Sequence, residues 1–191
     1  MTGDRMAWRF EIERTWAGEP LEVSATVYVD FYGVRVDAPF FGQDVRPEGH
    51  GRHPRLWEHE VVEVFLAEGR DDTSPYIEIE VGPFGHWLVL GFTGYRRAVP
   101  LDEVVVGYDA VIEGDRWRGH LKLESTWWHE VLERSRHGNA FAIHQLSTRR
   151  YCAAFGPDEG RPPDFHHLGT YRTLRSLGEM AHPSFERELT R

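Results

Sequence analysis

The N-terminal half of the chain alternates between apolar and polar residues. The clearest stretch runs from 21 to 30, and shorter stretches with the same period of two begin at Trp8 and Val34. In a β-strand this period places the apolar side chains on one face, as in a half-covered antiparallel sheet. The same spacing returns at 104–112, 117–123 and 141–145. The pattern therefore predicts a protein built mainly from antiparallel strands.

The segment 56–82 departs from this alternation. It contains an almost continuous apolar run at 61–66, which is typical of a strand covered on both faces, and Glu63 interrupts that run. Two more glutamates, Glu78 and Glu80, share one face of the following strand. Burying an unpaired carboxylate is costly or forces its protonation. The three glutamates therefore predict a functional face formed by neighbouring strands.

The rest of the pattern predicts one helix and two long loops. Ser125 is predicted to cap a segment with helical spacing, which predicts one short helix near 126–135. Loops rich in Gly and Pro are predicted at 42–54 and 156–163, and a last strand at 167–174. The predicted fold is all-β: a β-sandwich of two mostly antiparallel sheets, carried by a single domain over 1–191 with its core at 8–175 and a C-terminal tail at 176–191.

Composition narrows the class of partner and the compartment. The formal charge of −9 argues against a nucleic-acid or anionic-membrane partner, since both require a basic surface. Cys152 is the single cysteine, so no internal disulfide can form. The N-terminus lacks the apolar core of a signal peptide, and no apolar run is long enough for a membrane span. We therefore expect a cytoplasmic protein that binds neither nucleic acid nor membrane.

The sequence lacks the motifs of several kinds of catalytic and metal site. The segment HEVVE at 59–63 lacks the second histidine of a zinc-protease helix and falls on a predicted strand. The eleven histidines have no structural zinc spacing. No nucleophile elbow or phosphate-binding loop is present. We predict no cofactor, with calcium on the carboxylate face as the alternative.

Other polar and aromatic residues extend the predicted functional face. Tryptophan rings stack on sugars, and Trp57 and Trp87 lie next to predicted loops or strand ends. Paired carboxyls at glycosidase distances would require Glu63 and Glu78 to lie on adjacent strands. Histidine and arginine side chains are the candidates, by residue type, to balance those acids. The candidate ligand-binding residues are Glu63, Glu78, Glu80, His144, Arg150, Asp164, His166, Trp57 and Trp87.

A set of short motifs resembles a known family. LWEHEVVEVFL, YIEIEVGPFG, WRGHLKL, FAIHQ and PDFHHLGTYRTL occur in the order seen in β-sandwiches like carbohydrate-binding module family 9. With FEIERTW near the start and APFF at 38–41, the chain resembles more closely an uncharacterised single-domain family of the UPF series, over about residues 8 to 175. The resemblance implies a sandwich with a concave face. The matching polar positions are Glu60, Glu63, Glu78, Glu80, His144, Arg150, Asp164 and His166.

Three functional hypotheses follow from these observations. The first is a non-catalytic binding protein that accepts a sugar or another small polar ligand on its carboxylate-lined concave face. The second is a structural protein in which the same charges form a buried network, with exposed strand edges that predict a homodimer. The third is a sugar-modifying enzyme that uses Glu63 and Glu78 as acid and base.

Overall fold

The computed structural model describes residues 8–42, 46–101, 103–156 and 160–174. Within them the chain forms strands and one helix, with 3-10 turns at Leu56–Glu58 and Leu168–Thr170. The helix, α1, spans Ser125–Arg134. The strands are β1 (Trp8–Thr15), β2 (Pro20–Asp30), β3 (Gly33–Pro39), β4 (Gly51–Arg52), β5 (Val61–Ala67), β6 (Tyr76–Val81), β7 (His86–Phe92), β8 (Ala98–Pro100), β9 (Val105–Glu113), β10 (Arg116–Leu123), β11 (His137–His144), β12 (Arg150–Ala153) and β13 (Arg172–Thr173). The predicted all-β class with one short helix is confirmed.

The described strands pair into one continuous sheet rather than two separate ones. Its order is β4-β7-β6-β5-β11-β12-β1-β2-β3-β10-β9, with β13 beside β11 and β8 beside β7. Neighbouring strands are antiparallel except β4 and β7. The joint between the two halves of the sheet is narrow, because β1 and β12 pair over only two residues, at Arg14 and Thr15. The sheet as a whole has a nearly closed, barrel-like shape.

The first half, which we call the open half, comprises β9, β10, β3, β2 and β1. Its inward-facing residues, among them Ile12, Val27 and Trp117, enter a large apolar cluster, the first core. Its other face carries polar and charged side chains that remain partly or fully exposed. This half therefore shows the one-sided burial that strict alternation predicts.

The second half, the covered half, comprises β12, β11, β5, β6 and β7. Every residue of β5 and β6 is buried. One face, with Val62, Val64 and Ile79, completes the first core. The opposite face forms a second core, which the segment after β12 covers with Phe165 and other apolar side chains. The predicted two-sided burial at 61–66 is therefore confirmed.

Two contacts beyond the sheet ladders help to fix this arrangement. Tyr108 on β9 donates a hydrogen bond to the carbonyl oxygen of Gly82, 2.8 Å away, and so links the far edges of the two halves. The α1 helix packs Trp128 and Leu132 into the first core, and the Trp128 indole donates to the carbonyl of Asp30 at 2.7 Å. No helix among the described residues is both long and apolar enough to cross a membrane.

Three local predictions need correction. The helix is capped by the carboxylate of Glu124, which accepts from two backbone N–H groups of the first turn, and not by Ser125. The predicted loop at 42–54 contains β4, whose two residues pair with β7; residues 43–45 lie outside the described part. The predicted strand at 167–174 is a 3-10 turn followed by β13. The predicted tail at 176–191 also lies outside the described residues.

Candidate functional site

A pocket of about 400 Å³ opens into the second core on the covered half. Strands β5, β6 and β7 form its floor, and the segments before β12 and after β7 form much of its wall. Its polar lining combines two acids with three basic side chains, and aromatic rings surround them. The side chains lining it are Trp57, Glu63, Glu78, Leu90, Phe92, Arg96, Ala98, Ile143, Arg149, Tyr151, Pro163, Phe165 and His166. A smaller pocket of about 280 Å³, between α1 and the β6–β8 edge, lacks this pairing of buried acids with arginines.

Strand register brings the three predicted glutamates to one face of the sheet. Glu63 on β5 lies directly opposite Glu80 on β6, and Glu78 lies opposite Phe65. Glu63 and Glu78 are therefore diagonal neighbours, within about 7–8 Å of each other by the usual spacing of such pairs. All three belong to the second-core face, because the residues between them point into the first core. The sequence-based placement holds, while the ligand-binding role of these residues stays a prediction.

The environment of Glu63 and Glu78 disfavours their charged forms. Both are almost fully buried, at 2% and 4% exposure. Burial, and then the nearby Glu78, raises the pKa of Glu63 well above its ordinary value, against the opposing effect of Arg149. Burial raises the pKa of Glu78 to about 7, although Glu80 and Arg96 act in the opposite direction. The pocket floor thus carries carboxyl groups that can donate as well as accept hydrogen bonds near neutral pH.

Glu80 lies beside this pair on the same face of the sheet and has no exposure. Burial, followed by the charges of Glu63 and Glu78, raises its pKa well above the ordinary value. Among the described residues neither Glu80 carboxyl oxygen has a donor in full hydrogen-bonding geometry. A proton on Glu80 resolves this, because the protonated group can then donate to Glu78. Glu80 therefore does not line the pocket and acts on it through its interactions with Glu63 and Glu78.

Hydrogen bonds to the Tyr76 hydroxyl link His166 and Arg96, two residues that line the pocket. The Tyr76 hydroxyl lies 2.8 Å from Nδ1 of His166, and it accepts from the backbone N–H of Arg96 at 3.1 Å. Nε2 of His166 lies 4.0 Å from the Glu78 carboxylate. Burial, and then the charge of Arg96, lowers the pKa of His166 to about 4, despite the opposing Asp164. His166 is therefore neutral at physiological pH.

The mouth of the pocket carries the more exposed groups. Trp57, in the 3-10 turn before β5, is 39% exposed. Arg96 holds a salt bridge to Asp164, with 2.8 Å between Nη2 and Oδ1. Arg149 is half-buried, and its guanidinium lies 6.0 Å from the centre of the Tyr151 ring. A ligand in this pocket would meet carboxyls at the bottom and guanidinium groups and an indole near the top.

Relatives of the chain share most of its length. No family model matches it. It is 33% identical over 178 residues to the human UPF0462 protein C4orf33, covering 86% of each chain. The homologue from Mus musculus is 33% identical over 176 residues, covering 85% of this chain and 88% of the relative. The chain belongs to the UPF0462 family. A homologue from Danio rerio, 30% identical, covers 88% of this UPF0462 chain and 90% of its own length.

The fold of this UPF0462 member also has a counterpart among solved structures. The crystal structure of a "putative carbohydrate-binding protein" from Bacteroides uniformis superposes with a TM-score of 0.59. The match covers 89% of this chain and 85% of the other, at 17% sequence identity. At that identity the likeness shows a shared fold.

The UPF0462 pocket includes some of the predicted residues and leaves others outside. Glu63, Glu78, His166 and Trp57 line it. Glu80 lies beside these acids but does not line the pocket, and Asp164 lies at the rim, where it binds Arg96 and accepts a hydrogen bond from Tyr95 at 2.7 Å.

Three predicted residues lie on the wrong face of the sheet for this pocket. Trp87 on β7 packs against the first core, since it pairs with Val81 and not with a glutamate. His144 is buried in a hydrogen bond with Glu60, with 2.5 Å between Nδ1 and Oε1. Arg150 pairs with His144 across the strands and is exposed. Their placement in one cluster with the pocket glutamates was wrong.

Sequence reasoning missed the two arginines of the pocket mouth. Arg149 occupies the face that was assigned to Arg150, and one step along a strand moves a side chain to the opposite face. The alternation of Arg149 with Tyr151, which packs against the second core, was the available signal. Arg96 lies in the turn between β7 and β8, where no periodic pattern marks its direction. Among the described residues, no three His, Cys, Asp or Glu side chains are grouped to hold a metal ion.

Proposed function

We propose that this UPF0462 member is a non-catalytic binding protein whose pocket at Glu63 and Glu78 takes a small polar ligand of the sugar type. One observation carries the proposal: two buried acids, two arginines and a partly exposed tryptophan converge on a single pocket. Ligand sites in proteins commonly combine an apolar lining with a few convergent polar groups. This pocket has that composition.

The chemistry of the lining suits a ligand rich in hydroxyl groups. A carboxyl donates a hydrogen bond when protonated and accepts one when ionised. Glu63 and Glu78 can therefore bond to a hydroxyl group as acceptor or as donor. Trp57 offers a flat apolar ring to the less polar face of a sugar. A volume of about 400 Å³ falls in the range of small-molecule sites and leaves room for a monosaccharide.

The fold comparison supports the same reading. The Bacteroides uniformis protein with this fold is named for carbohydrate binding. We further propose that the curved sheet is equivalent to the two layers of a sandwich like carbohydrate-binding module family 9, because its halves face each other across the first core. A cytoplasmic location and a homodimer joined through strand edges complete the proposal. A molar mass in solution equal to that of one chain would rule out the homodimer.

A second candidate function is structural, and the complete burial of Glu80 favours it. In that case the carboxyl cluster serves only to organise the second core. Sugar modification with Glu63 and Glu78 as acid and base is a third hypothesis. It predicts turnover of a glycoside, which product analysis after incubation with nitrophenyl glycosides would detect.

The direct test is a glycan array followed by calorimetry with the monosaccharides that score. We expect Trp57→Ala and Glu63→Gln to weaken binding at least about tenfold, as loss of a stacking or hydrogen-bonding partner usually does. Tyr32→Ala is the matched control, because Tyr32 is 53% exposed and follows β2 of the open half. Failure of every sugar to bind the wild-type protein would contradict the proposal and leave the structural role.

A further inference from the structure

We propose, on the basis of the proposed sugar-binding function, that the ligand is a monosaccharide bearing one anionic group. The anionic group would be held at the pocket mouth by Arg149 and Arg96, with the hydroxyl end on the floor formed by Glu63 and Glu78. The juxtaposition of a basic mouth and an acidic floor in one pocket is what points to a ligand with two different ends.

Arg149 gives the strongest indication. Its side chain lines the pocket and is half-buried, yet among the described residues it makes no hydrogen bond and no ion pair. Its contacts are the Tyr151 ring and the electrostatic effect on Glu63. Because burial favours the neutral form of Glu63, that acid offers Arg149 little compensating charge. A pocket-lining arginine that holds no such bond is well placed to bind a carboxylate or a phosphate.

Arg96 also lines the pocket, and its side chain is held in place by two hydrogen bonds. Its Nη2 binds Asp164 at 2.8 Å, and its Nε donates to the Tyr95 hydroxyl at 3.2 Å. The backbone of Arg96 adopts a positive φ of 54°, which is uncommon for a residue with a side chain. A guanidinium carries five N–H donors, so these two bonds orient the group and leave other donors for a ligand.

The difference in exposure between the arginine at the mouth and the acids on the floor orients the ligand. The side chain of Arg96 is 54% exposed, whereas Glu63 and Glu78 are almost fully buried. An anionic group on the floor would be buried beside two carboxyls whose own burial already disfavours negative charge at that depth. A wholly neutral sugar would leave Arg149 without a partner. Only a ligand with its hydroxyls inward and its charge outward satisfies both ends.

Calorimetry with matched ligands tests the inference. The wild-type protein is titrated with a monosaccharide that binds, with its 6-phosphate, with its uronate, and with inorganic phosphate. We expect one of the acidic sugars to bind at least about tenfold more tightly than the neutral sugar, since charge-assisted hydrogen bonds are the stronger kind. The titrations with the 6-phosphate and with the uronate show which anionic group the pocket mouth binds.

Variants at adjacent positions provide the control. Arg149→Met should remove most of the preference for the acidic sugar, because it should weaken binding of the acidic sugar much more than binding of the neutral one. Arg150→Met removes an equal charge from the opposite face and should change neither. Circular dichroism checks that both variants are folded.

The outcomes separate this inference from the function on which it rests. Equal affinity for neutral and acidic sugars, or an equal effect of the two variants, overturns the inference and leaves the sugar-binding proposal standing. Inorganic phosphate that binds as tightly as the sugar phosphate also overturns it, because the sugar then contributes nothing. If no sugar of either kind binds, both proposals fail.

Discussion

The open and covered halves are built from the same kind of strand, and they differ in what lies against their second face. In the open half that face meets water, and its charges pair there, as in Arg116 with Asp37 and Arg118 with Glu113. In the covered half it meets the second core, so Glu63 and Glu78 cannot be solvated in the same way. A carboxyl on the exposed face of the open half stays solvated, whereas burial of a carboxyl in the covered half raises its pKa.

The comparison predicts that side chains on the second face matter for stability only in the covered half. Phe141→Ala should lower the free energy of unfolding by about 3–5 kcal/mol, because Phe141 is fully buried and stacks on Phe165 with ring centres 4.1 Å apart. Val106→Ala, at a β9 position that is 70% exposed, should change it by less than about 0.5 kcal/mol. Urea denaturation measures both. Similar losses in the two variants would remove the distinction between the halves.

Polar pairs should show the same contrast. His144→Ala removes the buried side chain whose Nδ1 lies 2.5 Å from Glu60 Oε1 and should cost about 2–3 kcal/mol of unfolding free energy, because a buried polar group then loses a hydrogen-bond partner. Asp109→Ala removes an exposed pair in the open half, in which Asp109 Oδ2 lies 3.7 Å from Lys122 Nζ, and should cost about 0–1 kcal/mol. A loss below about 1 kcal/mol for His144→Ala would show that the buried pair is dispensable.

The carboxyl cluster should make stability depend on pH in a particular direction. A carboxyl whose pKa is raised on folding holds a proton that the unfolded chain has released, so stability falls as pH rises from about 4.5 towards the folded pKa. His166 acts oppositely: its pKa is lowered, so stability falls as pH drops from about 6.5 to about 4. The two effects offset each other below about pH 6.5 and leave only the carboxyl effect above it.

We therefore expect the free energy of unfolding to fall by about 1–3 kcal/mol between pH 6.5 and 8, since each proton corresponds to about 1.4 kcal/mol per pH unit. Glu80→Gln should flatten this slope, because glutamine can still donate to Glu78 and does not titrate. Glu22→Gln on the exposed face of β2 is the control and should leave the slope unchanged. Stability that rises from pH 6.5 to 8 would contradict the assigned pKa directions.

The smallest effect is expected at the pocket mouth. Trp57→Ala should change the unfolding free energy by about 0.5–1 kcal/mol, because the ring is 39% exposed, while it abolishes much of the ligand affinity. Thermal denaturation and calorimetry on the same preparation give both values. A loss above about 3 kcal/mol would make Trp57 part of the core rather than a contact for ligand.

The strands and their faces were largely predictable from sequence. Alternation identified the one-sided burial of β2, and the apolar run around Glu63 identified the covered strand β5. The hairpin between β5 and β6 follows from the short polar turn, in which the Asp71 carboxylate accepts from Thr73 N–H at 2.9 Å. Local patterns suffice here because both signals lie within neighbouring segments.

The composition of the pocket was less predictable, because it depends on contacts between distant segments. Whether Arg149 or Arg150 faces the acids depends on the pairing of β12 with β11, and the loop between those strands has no turn signature that fixes the register. Trp87 is of a residue type that stacks on sugars, yet it pairs with Val81 across the strands, and this register turns its side chain towards the first core. Phe165 and His166 reach the site from a segment without period.

The most direct test of the account is a carbon-13 NMR titration of the glutamate carboxyl groups in the intact protein. We expect the Glu78 carboxyl to titrate near pH 7 and Glu63 and Glu80 to titrate well above the ordinary range. Assignment through Glu63→Gln and Glu80→Gln separates the three signals. If all three titrated near pH 4.5, the covered half would solvate its acids as the open half does, and the central claim would be wrong.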